Sequence, residues 1–173
     1  MVWLLFRKPF RLGKLLMGGV TLNALMLGAL ALLLVSAGIE DVRTREIANW
    51  KNAAIALLAP LWWWSNGLHL WPNLAIQLGV AAFVFTLFWV VFHFGAMGGG
   101  DVKMIGALAL WFPLQGLIWM LIVMSLVGGA LTLLLVIERA VRRRTSIIEV
   151  PYGVAIAIAA LISLPEPFLN QFL

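Results

Sequence analysis

The sequence predicts an all-α fold, a polytopic bundle of about six transmembrane helices, and two features of its composition carry this prediction. Hydrophobic residues make up 64% of the 173-residue chain and charged residues only 11%, whereas a soluble domain carries about 25% charged residues. The apolar residues form runs of about 20, the length that spans a bilayer as a helix. We therefore expect one membrane-embedded domain over residues 15–173, preceded by a basic segment at residues 1–14.

Each predicted helix is bounded by residues that interrupt a membrane helix. A charged stretch ends the first apolar run after residue 39, and the turn sequence Ser65-Asn66-Gly67 ends the second. Tryptophans flank the next loop and place it at the interface. Three glycines separate the third helix from a short fourth helix, which Pro113 stops. The arginine run 142–144 ends the fifth helix, and Pro151 suits the first turn of the sixth.

The predicted spans are, in order, Leu15–Ile39, Asn52–Trp64 (with an alternative start near Asn49), Leu74–Phe94, Asp101–Pro113, Leu117–Ile137 and Pro151–Leu164.

Basic residues predict the orientation of the bundle. The loops after the first, third and fifth helices hold eight of the twelve Lys and Arg residues, namely Arg43, Arg45, Lys51, Lys103, Arg139, Arg142, Arg143 and Arg144. The opposite loops hold none, so the three basic loops are expected on the cytoplasmic side.

The other four basic residues, Arg7, Lys8, Arg11 and Lys14, precede the first helix on the side that this orientation leaves outside. Three interpretations stay open: a short amphipathic piece in the interface, a true chain start at Met17, or a signal peptide.

The composition also excludes several kinds of chemistry. The chain has no cysteine, which rules out disulfides, thiolate zinc sites and cysteine nucleophiles. His69 and His93 fall on opposite sides of the membrane, so we expect no metal site and no cofactor. The net charge of +5 is spread over loop ends without a basic aromatic face, so nucleic acid is not an expected partner. The lipid bilayer is the expected surrounding.

Two carboxylates at the same predicted border are the candidate catalytic residues. Asp101 follows Gly98, Gly99 and Gly100, whose missing side chains let an extended peptide backbone approach closely. Asp41 ends the first apolar segment on the same side. An acid near hydrocarbon costs free energy, which indicates a function for it. The alternatives are an ordinary turn before an aspartate N-cap, and a solvated loop.

Two carboxylates that share a water molecule can hydrolyse a peptide bond. The ionised one takes a proton from the water, and the protonated one donates to the scissile carbonyl, because like charges this close hold one proton between them. Asp101 at a helix N-terminus is expected to be the ionised base, and Asp41 near a helix C-terminus the protonated acid. Glu40 is a rival to Asp41, but it points about 100° away around the helix.

Three segments together resemble the type IV prepilin peptidase family of GxGD membrane aspartyl proteases: Asp41–Asn49, Gly98–Met104 and Pro151–Gly153. The short chain is similar to the small tight-adherence (Flp) pilus peptidases, and the resemblance runs from about residue 20 to residue 164. It implies an aspartic-type endopeptidase with Asp41 and Asp101 as the catalytic pair.

The resemblance also implies the setting of this activity. The substrate would be a prepilin or pseudopilin, the location the inner (plasma) membrane of a prokaryote in a multi-pass arrangement, and the pilus assembly machinery a further partner. Ala48 departs from the proline that the family often carries there, which loosens the start of the second helix. Without cysteines for a zinc domain, the N-methylation of the larger relatives is not expected.

Candidate substrate contacts are Gly98, Gly99, Gly100, Lys103 and Tyr152. Lys103 either pairs with Asp101 or an acidic substrate residue or is an interfacial lysine, and Tyr152 is the only tyrosine. Two other functions remain open: a small ion- or proton-coupled transporter using the two acids as a relay, and a catalytically inactive pilus assembly factor.

Overall fold

The computed structural model describes residues 18–68, 70–142 and 150–164, and within them the chain forms six α-helices, a short π-helical segment at Leu70–Leu74 and no strand. The helices are α1 (Gly18–Thr44), α2 (Asn49–Ser65), α3 (Ala75–His93), α4 (Gly99–Leu108), α5 (Leu114–Arg142) and α6 (Tyr152–Ser163). The all-α prediction is confirmed.

Several helix ends differ from the prediction. α1 continues through Thr44, so that Asp41 lies on the helix and not in the loop after it. The Thr44 hydroxyl donates to the Glu40 carbonyl, and Arg45 adopts a positive φ of 57° that ends the helix. α4 begins at Gly99, two residues before Asp101, and ends at Leu108, while α5 extends to Arg142.

Of the six α-helices described, three are long and apolar enough to cross a membrane: α1 over Leu22–Thr44, α3 together with the π-helical segment before it over Trp71–His93, and α5 over Leu114–Arg142. The other three have 17, 10 and 12 residues in α2, α4 and α6. At 1.5 Å per residue, α4 covers only about 15 Å of a hydrocarbon core of about 30 Å.

The short helix α4 lies at the centre of the bundle and packs against α2, α3 and α6. α6 in turn packs against α1 and α5. Buried alanines of α6, including Ala155, Ala157 and Ala159, allow close approach of its neighbours. The helix that carries Asp41, α1, and the helix that carries Asp101, α4, therefore both pack against α6.

Side chains from neighbouring helices donate to the carbonyls of the residues that follow α4. Gln77 Nε2 donates to the carbonyls of Ala109 and Phe112 at 2.8 and 2.7 Å. Trp63 Nε1 donates to the Leu110 carbonyl at 2.8 Å. A helix that ends inside a membrane protein needs such partners, because lipid offers no hydrogen-bond donors.

Some sequence-based expectations concern residues outside the described ranges. They are the basic segment 1–14, His69, and Arg143 and Arg144 of the arginine run.

Candidate active site

Asp41 is buried at 5% relative exposure, and its carboxylate is held by the first turn of α6. Its Oδ2 accepts a hydrogen bond from the Val154 N–H at 3.2 Å, and the Gly153 N–H is a second donor. The Val154 N–H also donates to the Pro151 carbonyl at 3.2 Å. N–H groups in the first turn of a helix carry the positive end of the helix dipole. The N-terminus of α6 therefore supplies hydrogen-bond donors to the Asp41 carboxylate.

Asp101 is the third residue of α4, and Gly98 is the N-cap of this helix. The Gly98 N–H donates to the Asp101 carboxylate, so that the side chain folds back over the start of its own helix. Asp101 is buried at 8% relative exposure. The expected alternative of an aspartate N-cap does not describe this position.

The two carboxylates line one cavity. Its volume is about 260 Å³, and it lies between the C-terminal end of α1 and the N-terminal end of α4. The lining residues are Asp41, Arg45, Glu46, Ile47, Asn49, Gly98, Gly99, Gly100 and Asp101. One water molecule occupies about 30 Å³ of liquid volume, so the cavity has room for a water and a stretch of peptide backbone.

The electrostatics of the pair distinguish its two members. Asp101 lies outside the three membrane-spanning helices, and burial together with the neighbouring Asp41 carboxylate raises its pKa above the ordinary value. Asp41 has the two α6 donors and the Arg45 charge nearby, whereas the Asp101 carboxylate has the Gly98 N–H. The sequence-based assignment, with Asp101 as the ionised base and Asp41 as the protonated acid, considered only the helix that carries each aspartate and did not include the hydrogen bonds from α6 to Asp41.

Each glycine of the triplet faces a close neighbour. A Cβ on Gly98 would lie 2.9 Å from Asp101 Oδ2, and one on Gly100 would lie 3.2 Å from Ile47 Cβ. A Cβ on Gly99 would contact the Phe92 ring at 3.4 Å. The missing side chains thus let the Asp101 carboxylate and the α1–α2 connection pack against the start of α4.

Glu40, the rival to Asp41, has a different partner. Its Oε2 lies 2.9 Å from Lys51 Nζ, and the Ala48 N–H donates to the same oxygen at 3.1 Å. Lys51 is buried and also donates to the Ser36 carbonyl. Proline at position 48 has no N–H and could not make the bond to Glu40. Glu40 thus joins α1 to the start of α2 and does not line the cavity.

Two predicted site residues lie away from this cavity. Lys103 Nζ donates to Asn49 Oδ1 at 2.7 Å and lines a separate, largely apolar groove between α2, α3 and α4. Tyr152 packs against Gly128 of α5 and lines a third groove. Their contact with substrate stays a prediction.

Several residues that contact Asp41 or Gly100 directly were not predicted as site residues from the sequence. Gly153 places its N–H at Asp41, Ile47 lies between α4 and α6, and Asn52 donates through Nδ2 to the Gly100 carbonyl at 3.1 Å. Gly153 belongs to the Pro-Tyr-Gly segment, which was the available signal. Ile47 and Asn52 look in the sequence like an ordinary apolar residue and an ordinary helix-start amide.

The fold and the cavity together define a class: a helical membrane protein with two buried carboxylates from different helices in one polar cavity. The model of the type IV leader peptidase family matches residues 28–133, more than half of the chain. The protein belongs to this family, and its general activity is that of a type IV leader peptidase. Searches of curated proteins and of solved structures found no significant match.

Proposed function

We propose that this protein is an intramembrane aspartyl endopeptidase that removes the short basic leader of type IV, Flp-like prepilins. The observation that carries the proposal is the common cavity of Asp41 and Asp101, which also contains all three glycines of the triplet. Family membership supports the reaction, and the cavity supports the catalytic type.

In the proposed reaction, Asp41 is the base and Asp101 the acid in the resting enzyme. Asp41 takes a proton from a water molecule as the water oxygen attacks the scissile carbonyl carbon, and Asp101 donates its proton to the carbonyl oxygen. The tetrahedral diol then collapses: Asp41 gives its proton to the leaving amine, and Asp101 takes back the diol proton. This assignment reverses the one expected from the sequence. The two groups titrate as a pair and exchange roles within each turnover.

The charge distribution suits a substrate with a cytoplasmic leader. Asp41 and Asp101 lie at the end of the bundle that carries Arg43, Arg45 and Lys103. The positive-inside rule places such an end in the cytoplasm, here at the inner membrane of a prokaryote. A leader that precedes an apolar helix in the substrate would then reach the cavity from that side.

Co-expression with candidate prepilins tests this function. We expect a prepilin with a basic leader before an apolar helix to be shortened, with the cut between the two, as read by intact mass. A matched substrate in which the same basic leader precedes a soluble domain tests whether the apolar helix is required. An uncleaved prepilin across a panel of such substrates would favour transport or an assembly role.

A further inference from the structure

Ile47 is a buried apolar side chain in the short connection between α1 and α2. Its relative exposure is 7%, whereas the preceding Arg45 and Glu46 are exposed. The connection is fixed on its other side, because the Ala48 N–H donates to Glu40 at 3.1 Å. Ile47 is therefore held in one place by its own segment.

Ile47 lies between the start of α4, which carries Asp101, and the start of α6, which donates to Asp41. A Cβ on Gly100, next to Asp101, would lie 3.2 Å from Ile47 Cβ. A Cβ on Gly153, whose N–H donates to the Asp41 carboxylate, would lie 2.8 Å from Ile47 Cδ1. Each helix start thus has a glycine where Ile47 packs against it.

We propose that Ile47 is a positioning residue, a spacer that sets the separation of the Asp41 and Asp101 carboxylates. The proposal rests on the proposed function, since it assumes that these two groups react together. A β-branched side chain has few rotamers and therefore makes a stiff spacer. Gly100 leaves space for Ile47, and Gly153 leaves space for both Ile47 and the Asp41 carboxylate, whose Cγ would lie 2.9 Å from a Cβ at that position.

Graded truncation of Ile47 tests the proposal through leader cleavage. Ile47→Val keeps Cβ and removes Cδ1, so it loosens the Gly153 contact alone, and Ile47→Ala removes more. Because a misplacement of about 1 Å costs on the order of 100-fold in rate, we expect kcat to fall about tenfold for Val and about 100-fold for Ala. KM should stay within about threefold, because Ile47 is not proposed to provide binding energy.

Ile55 provides the matched control. It is a fully buried isoleucine of α2 outside the cavity, so Ile55→Val and Ile55→Ala remove the same atoms from the same core. We expect these variants to keep kcat within about threefold at equal amounts of folded protein. Equal loss of kcat in the Ile47 and Ile55 series would show that Ile47 acts as an ordinary core residue, and this result would overturn the proposal.

A second readout does not depend on activity. Because the chain has no cysteine, the double variant Asp41→Cys, Asp101→Cys reports the separation of the two positions through bismaleimide linkers of graded length. We expect Ile47→Ala to change which linker length cross-links the two cysteines most efficiently. Ile55→Ala should leave this preferred length unchanged. An unchanged linker preference for Ile47→Ala would overturn the spacer. Full cleavage by Asp41→Asn would instead overturn the proposed function while the linker result still stands.

Discussion

The aspartates differ less in burial than in the donors that surround them. Asp41 receives two backbone N–H groups from α6, and Asp101 receives one from Gly98. The sequence located both residues through the glycine triplet and the acidic end of the first apolar run. It predicted that Asp41 holds the proton. The proposed mechanism reverses this assignment because α6, which begins 111 residues after Asp41 in the chain, donates to Asp41.

Glu40→Gln tests the choice between the two adjacent acids. We expect this variant to keep most of the leader cleavage, since Glu40 does not line the cavity. We also expect a lower melting temperature, because the buried Lys51 loses its anionic partner. The control is Glu138→Gln, which breaks only an exposed pair with Arg142 and should leave the melting temperature unchanged. Loss of cleavage equal to that of Asp41→Asn would show that the wrong acid was chosen.

Gly98→Ala tests the contact between the triplet and Asp101. The new Cβ would lie 2.9 Å from Asp101 Oδ2, so the carboxylate must move. We expect cleavage to fall at least about tenfold, because displacing a reacting group by a fraction of an ångström costs that much or more. Gly79→Ala on α3 is the control, since a Cβ there meets no atom within 4 Å. Equal cleavage rates for the two variants would contradict the contact.

At the scale of elements, the order and type of all six helices followed from the sequence, while several helix ends did not. Apolar run lengths and breakers such as Pro113 decide where a helix exists, and these are local signals. The stretch that follows α4 is held by side chains far away in the chain, among them Gln77 and Trp63, which donate to the carbonyls of Ala109 and Leu110. The sequence interpretation extended this helix to Pro113 because those hydrogen bonds have no local signature.

Gln77→Leu tests the side-chain caps of α4. It leaves the carbonyls of Ala109 and Phe112 without their donor, and we expect a loss of roughly 1–3 kcal/mol in stability. Thermal unfolding in detergent measures the effect. Gln115→Leu, at an exposed position of α5, is the matched control and should change the stability little. No difference between the two variants would mean that the caps contribute nothing measurable.

At the scale of the whole molecule, the described basic residues gather at one end of the bundle. Thr44 lies at this end, in the last turn of α1, and Asn66 lies at the opposite end, where it bonds to Asn23. The sequence predicted that Asp41 and Asp101 share a border from loop charges alone, and their common cavity confirms that they lie together. Which side of the membrane this border faces stays a prediction.

Cysteine labelling tests the predicted orientation in a chain without native cysteines. We expect Thr44→Cys to react with a membrane-impermeant maleimide only from the cytoplasmic side, and Asn66→Cys only from outside. Both side chains are exposed. The opposite result would invert the bundle and place the cavity on the wrong side for an uncleaved leader.

The measurement that tests the central claim most directly is leader cleavage by Asp41→Asn and Asp101→Asn in proteoliposomes, read by intact mass. Each variant keeps the size of the side chain and removes one proton function, so we expect each to lose about 10²–10⁴-fold in rate. Glu138→Gln should cleave at the wild-type rate, since its exposed pair lies outside the cavity. Wild-type cleavage by either aspartate variant would contradict the account.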